Sequence, residues 1–143
     1  MSRVKNIPAE LLRNVTIQDM VAEGKCLVRI ENLVIFVSQV APADEVDLRV
    51  TKAKKNFLEA VPTQFHAYSE LRTTPFCQHF GTCGGCKWQH LDYDSQLHFK
   101  QQQVVDQLTR IGKVALPEIP FILSSPQRTY YRNKLEYTFS DNG

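Results

Sequence analysis

From Asn14 to Ser69 the chain is a succession of short β-prone segments separated by turn residues, and this spacing restricts the fold more than any other feature. Lys25 to Ile30 and Leu33 to Val37 are apolar and rich in β-branched residues, and Glu31-Asn32 between them suits a hairpin turn. A tight antiparallel pair is expected. From Glu45 the chain alternates, with Val46, Leu48 and Val50 on one face and Asp47, Arg49 and Thr51 on the other, as in a strand that covers a core on one side. Phe57 to Tyr68 predicts a last strand, broken or bent at Pro62, where a ladder donor is missing. About five strands joined by short turns predict a small closed barrel of the oligonucleotide-binding type. Cys26 falls in an apolar strand of this barrel and reads as a small core residue rather than a ligand.

The second constraint is Cys77-Gln-His-Phe-Gly-Thr-Cys83-Gly-Gly-Cys86, which holds three of the four cysteines. Thiolates are soft ligands for iron-sulfur clusters, zinc or copper(I), and the two-residue gap between Cys83 and Cys86 lets neighbouring sulfurs converge. Gly84 and Gly85 in that gap permit the main chain to wrap closely around a centre. Spacing leaves three readings open: an iron-sulfur cluster, zinc completed by one of His66, His79, His90 and His98, or no metal. A disulfide ranks last. Met-Ser-Arg-Val-Lys carries no apolar signal, and the run Leu33 to Val37 is too short to span a bilayer, so a reducing cytoplasm is expected.

With 143 residues, 43% hydrophobic and 22% charged, the chain is ordinary globular material. A net charge of +2 permits a nucleic-acid partner without demanding one, so that argument rests on where the basic residues sit. Lys52, Lys54 and Lys55 cluster at a strand end, and charge alone reads them first as a solvated end and second as an RNA-facing patch.

Asp94 to Gly112 predicts a helix, with Leu97, Val104, Val105, Leu108 and Ile111 as its apolar stripe, Asp94 as N-cap and Gly112 as the stop. The stripe is expected to pack on the next segments of the chain, a strand at Phe121 to Leu123 and another at Tyr131 to Phe139. Asp141-Asn142-Gly143 carries a hairpin-turn signal with no return strand, which points to a piece of a longer protein. The predicted fold class is thus mixed β then α+β. It comprises a barrel over residues 1–70, a cysteine-rich metal-binding loop over 71–93, and a helix with the first strands of a truncated second domain over 94–143.

Cys77-x5-Cys83-Gly-Gly-Cys86, followed by Trp88-Gln-His-Leu91, Tyr93, Gln96-Leu97 and Lys100, resembles the cluster signature of the iron-sulfur-containing RNA uracil-C5 methyltransferases. Gly24 to Ser69, with Phe36-Val37 and the Lys52 to Lys55 run, is similar to the TRAM barrel of that family, and Tyr131-Arg-Asn-Lys134 to the start of its central domain. The resemblance covers nearly the whole chain from about residue 10. It implies a 4Fe-4S cluster ligated by Cys77, Cys83 and Cys86, with a fourth cysteine beyond this chain, an RNA-binding barrel, and an S-adenosylmethionine domain further along. It places no catalytic or methyl-donor residue in these 143 residues, so the chain alone is expected to be inactive. One departure is Ala41-Pro-Ala-Asp-Glu45, where the family turn usually carries glycine.

The expected partner is RNA, with a leaning towards 23S ribosomal RNA drawn from the family. Neither a membrane nor a protein partner is expected. Lys52, Lys54, Lys55, Arg72, Lys87 and Arg132 are the candidate phosphate contacts, and Trp88 or Phe80 the candidate stacking residues. A stand-alone RNA-binding module with a zinc or cluster knuckle is the alternative. Electron transfer is a third class, opposed by the small number of clustered cysteines.

Overall fold

The computed structural model describes residues 11–134. Six strands form one sheet: β1 (Leu11–Thr16), β2 (Asp19–Met20), β3 (Lys25–Ile30), β4 (Leu33–Ser38), β5 (Glu45–Ala53) and β6 (Phe57–Ala67). Their lateral order is β1-β5-β6-β4-β3-β2, so the first two strands of the chain lie at opposite ends of the sheet. Only Ile17 and Gln18 separate them. A flat sheet cannot satisfy that connection, so the sheet curls into a half-barrel until its ends meet. Adjacent amides make the join: Ile17 N–H donates to Asp44 O at 2.9 Å beside β5, and Gln18 N–H to Leu27 O at 3.2 Å on β3. Gln18 then extends the ladder with its side chain, its Oε1 accepting from Arg29 N–H at 2.9 Å.

The expected hairpins are present. β3 and β4 pair antiparallel from Lys25↔Ser38 to Ile30↔Leu33, with Glu31 in the left-handed region at φ 54. β5 and β6 form a longer antiparallel pair, and β6 also runs parallel to β4 over Phe57 to Ala60. Pro62 does not break β6. It sits opposite Leu48 next to a register shift between Asp47 and Leu48, and a bulge beside the proline absorbs its missing donor.

Val46 and Leu48 are fully buried as expected, but Asp47, expected on the solvent face, is only 6% exposed. The same bulge explains this, because Asp47 Oδ1 accepts from Asn14 N–H at 2.8 Å and contacts His66 Nε2 at 2.7 Å. The Asn14 amide and then His66 hold its carboxyl below the ordinary range.

The helix differs from expectation in its cap and its buried face. α1 spans Tyr93–Asp106 and is followed by a π turn, Gln107–Ile111. Its N-cap is Asp92, not Asp94: Asp92 Oδ1 accepts from Ser95 N–H at 2.9 Å. Leu97 and Phe99 are buried, and Phe99 and Leu91 join the core built by Ile17, Cys26, Ile35 and Val37. The far half of the predicted stripe is not covered, for Val104 is 52% and Ile111 79% exposed. The helix buries its first turns on the barrel, and its later turns face β2 and β3 across an open groove.

Gly112 closes the helix at φ −70 rather than in the left-handed region. Crowding explains the glycine, since a Cβ there would lie 2.8 Å from Leu108 O. Phe121 to Leu123 is not a strand in the sheet. Gln101 holds that segment to the helix instead, accepting from Ile122 N–H at 2.8 Å and donating to Pro120 O at 3.3 Å. Of the predicted strand at Tyr131 to Phe139, residues 131–134 are irregular. Leu135, Tyr137, Phe139 and the Asn142-Gly143 turn lie outside the described residues.

The turn that lacks glycine places Ala43 at φ 69, where a Cβ meets the backbone. Ala43 N–H donates to Ile17 O at 2.8 Å, so the conformation is locked by the barrel join. Relief of the steric cost outweighs the extra freedom glycine gives the unfolded chain. Ala43→Gly is therefore expected to stabilise the fold by about 0.5–1 kcal/mol. Urea unfolding checks this: the midpoint rises with an unchanged slope.

Candidate nucleic-acid interface

Asp44 is fully buried at the end of the β4–β5 turn, and four groups hold its carboxylate. Ala41 N–H donates to Oδ2 at 2.6 Å and Ser69 N–H to Oδ1 at 2.9 Å. Arg72 supplies a forked pair, Nε to Oδ1 at 2.8 Å and Nη2 to Oδ2 at 2.7 Å, and Nη2 also donates to Gln39 O at 3.2 Å. The guanidinium lies 5.0 Å from the Phe65 ring centre and 5.3 Å from that of Tyr68, rings that are themselves stacked. Two of the three guanidinium nitrogens are thus taken by groups of the protein itself.

The same turn receives the cysteine segment. Val40 O accepts from Cys26 Sγ at 3.2 Å and from His90 Nε2 at 3.0 Å. A carbonyl can only accept, so His90 carries its proton on Nε2, and its buried Nδ1 has no partner among the described residues. Burial depresses the His90 pKa. Burial also pushes the Cys26 thiol up to about 12, which keeps it protonated. Cys26 is a core residue, as its apolar strand predicts. Gly24, at φ 71, lies so close to the segment that a Cβ would come within 2.6 Å of Lys87 Cβ. Gln39 Nε2 donates to Gly81 O at 3.1 Å.

The three clustered cysteines are free; Cys77 is half-buried, and Cys83 and Cys86 are exposed. Accessible unpaired thiols suit a soft metal, and Gly81 and Gly84 turn the loop in the left-handed region at φ 85 and 71. Among the described residues, however, no three side chains of His, Cys, Asp or Glu are grouped to hold an ion. The donor chemistry fits, and ligation requires the loop to draw its sulfurs together.

Lys52, Lys54 and Lys55 are exposed around the β5–β6 turn, where Lys54 N–H donates to Phe57 O at 2.9 Å. Lys87 and Arg132 are also exposed. Trp88 is half-buried against the core with Lys100 Nζ 5.9 Å from its ring centre, and Phe80 packs 5.4 Å from His90. Both expected stacking residues therefore already have partners. The sequence reading missed Phe36 and Phe57, whose rings meet edge to face at 5.4 Å on the outer side of β4 and β6. Their signal was the period-2 alternation, which places Phe36 outward between buried Ile35 and Val37.

These features define a curled β-barrel with a basic strand end, an outward aromatic pair and a thiol-bearing segment docked on one turn. Residues 13–63 of it match the TRAM domain. An uncharacterized RNA methyltransferase of Bacteroides thetaiotaomicron is 53% identical over 122 residues, which are 85% of this chain and 27% of that protein. The 23S rRNA (uracil(1939)-C(5))-methyltransferase RlmD of Acidithiobacillus ferrooxidans is 42% identical over 114 residues, 80% of this chain and 26% of that protein. The crystal structure of Pyrococcus abyssi tRNA (uracil-54, C5)-methyltransferase in complex with S-adenosyl-L-homocysteine aligns with a TM-score of 0.44 and 30% identity, over 75% of this chain and 23% of that one. The chain spans about 27% of the length of the curated relatives it matches.

Arg72→Ala would leave Asp44 buried without its counter-charge and is expected to cost about 3 kcal/mol, measured by urea unfolding, with Arg72→Lys recovering only part of it because one ammonium cannot reproduce the fork. His90 contributes pH dependence of a definite sign. Its folded pKa is depressed, so the unfolded chain takes up the proton first. The contribution is complete above the ordinary value of 6.5 and is lost as the pH falls from there through the depressed folded value. The urea midpoint is expected to drop across that window, and His90→Gln to flatten the drop.

Proposed function

We propose that this chain is the amino-terminal, RNA-recognising portion of an S-adenosylmethionine-dependent RNA uracil-C5 methyltransferase that acts on 23S ribosomal RNA in the cytoplasm. The observation that carries the reading is the likeness to RlmD over four-fifths of the chain, which takes in the TRAM barrel and extends past it. In this reading the barrel ends at residue 70, the cysteine segment runs over 71–93, and the entry to a central domain begins at 94. No residue here is assigned to the methyl donor or to the bond-making steps, which fall to the remainder of such an enzyme. This portion binds and orients RNA.

In this reading Cys77, Cys83 and Cys86 provide three ligands of a 4Fe-4S cluster, and the fourth comes from outside the chain. Bound there, the cluster would cross-brace the loop through iron–thiolate bonds. The protein's own contribution is docking: Gln39 on Gly81 holds the middle of the loop, and Gly24 against Lys87 and His90 on Val40 hold its C-terminal end to the barrel.

Phosphate contacts fall to Lys52, Lys54, Lys55, Lys87 and Arg132, since their side chains are exposed. Each lysine on a phosphate releases about 0.7 of a counterion from a single strand. Replacing Lys52, Lys54 and Lys55 together by alanine is therefore expected to weaken binding of a ribosomal RNA fragment and to reduce the slope of log affinity against log salt by up to about 2. Titration at four or five salt concentrations measures it, and an unchanged slope removes these lysines from the interface.

A further inference from the structure

A groove of about 490 Å³ opens between the β2–β3 end of the sheet and the facing side of α1 and the π turn. Its volume lies within the range of small-ligand sites, about 300–1,000 Å³. Met20, Val21 and Leu27 form its apolar lining. The rest of the wall is rich in amides: Gln18 from the β1–β2 link, Gln102 and Gln103 from α1, and Gln107 from the π turn. Each amide offers both donors and acceptors, which suits a flat, uncharged group with hydrogen-bonding positions along its edge.

The charges of Asp19, Asp106 and Arg110 in the groove are internally answered, and among the described residues of its wall only Arg29 at the margin is not. Arg110 Nε lies 3.2 Å from Asp106 Oδ1, and Asp19 accepts from Met20 N–H at 2.7 Å and from Gln102 Nε2 at 3.5 Å. A phosphate is therefore not what the interior selects. Gln103 Nε2, by contrast, is buried with no partner among the described residues. A buried donor without an acceptor is unfavourable, and a turn of the side chain towards the groove would let an acceptor on a ligand satisfy it. Gln18 is already fixed, since its amide bonds the backbone of Arg29 on both sides.

The groove is continuous with the outer face of the sheet. Arg29 stands exposed at its margin, and no carboxylate is paired with it among the described residues. Leu27 faces Phe36 across the β3–β4 ladder, and Phe36 meets Phe57. Single-stranded RNA is recognised by this combination: bases stacked on aromatic rings and read along their edges by polar side chains, with cations on the backbone.

Resting on the RNA-binding reading above, we infer that this groove receives one unpaired RNA base, with Arg29 on its phosphate and Phe36 and Phe57 stacking a neighbouring base. Edge hydrogen bonds come from Gln103 and Gln107. Duplex RNA, whose bases are paired and stacked, does not enter.

The test titrates the chain with a fluorescein-labelled single-stranded RNA of mixed sequence and with the same RNA as a duplex, at several salt concentrations. Gln103→Leu keeps the side-chain volume and removes the amide, and Gln107→Ala changes an exposed position that the fold does not need. Each is expected to weaken single-strand binding by about 3- to 10-fold with no change of salt slope and no change in duplex binding. Circular dichroism confirms that both variants are folded. Single-strand binding equal to the parent chain in both variants overturns the assignment, as does a loss accompanied by a smaller salt slope, which marks a phosphate contact. The lysine triple variant separates the two levels. If it weakens binding while the glutamine variants do not, the groove alone is wrong; if the parent chain binds neither RNA, the RNA-binding reading itself fails.

Discussion

Asp44 has no access to solvent, so its carboxylate must be answered from within, and the way it is answered holds together three parts of the chain that are distant in sequence. Ala41 belongs to the β4–β5 turn, Ser69 to the end of β6 and Arg72 to the start of the cysteine segment. The forked Arg72 pair also bonds Gln39 O, so the chain leaving the barrel is returned to the turn that opens β5. Asp44 O takes the Ile17 amide in the same place, where the two ends of the sheet meet. Docking of the following segment thus depends on one buried charge, and the ends of the sheet meet on the backbone of the same residue.

The cysteine segment consequently has two physical characters. Trp88 to Leu91 belongs to the core: Leu91 is 1% exposed, His90 is bonded to Val40, and Leu91 N–H closes a turn on Trp88 O. Phe76 to Lys87 lies at the surface and is held by few contacts, chiefly Gln39 on Gly81 and the Gln89 side chain on Cys77 N–H. A surface loop held by its own short turns and by few contacts to the barrel can draw three sulfurs together without disturbing the core. Few buried contacts would have to break.

The sheet divides its labour by the period of two. Inward positions such as Cys26, Val28, Ile35, Val37, Leu58 and Ala60 fill the core, and the alternate positions place Leu27, Arg29, Phe36 and Phe57 on the outer side. That outer side carries an aromatic pair and meets the amide-lined groove at one end. The lysines of the β5–β6 turn stand beyond Phe57 at the other. Affinity from charge and selectivity from stacking and edge contacts can therefore be separated along one surface.

The sequence by itself determined what is local. The β3–β4 hairpin, the alternation of β5, the burial of Cys26, the existence of α1 and the exposure of the three lysines all arise from side-chain periodicity and turn chemistry, which operate over a few residues. The likeness to the TRAM domain over residues 13–63 likewise lies in contiguous residues and is legible without the fold. Tertiary structure decided the rest. Periodicity identifies an apolar stripe on α1 but not what covers it, and the barrel reaches Leu97 and Phe99 while leaving Val104 and Ile111 exposed. Nothing near Arg72 in sequence announces Asp44, because a buried ion pair is made by chain crossing and not by spacing. Asp92 displaced Asp94 as the cap because its own N–H donates to Leu71 O at 3.0 Å, which fixes where the helix can start. The groove, too, exists only where α1 lies against β2 and β3, since Gln18 and Gln103 are brought to one cavity by a contact that no short-range pattern encodes.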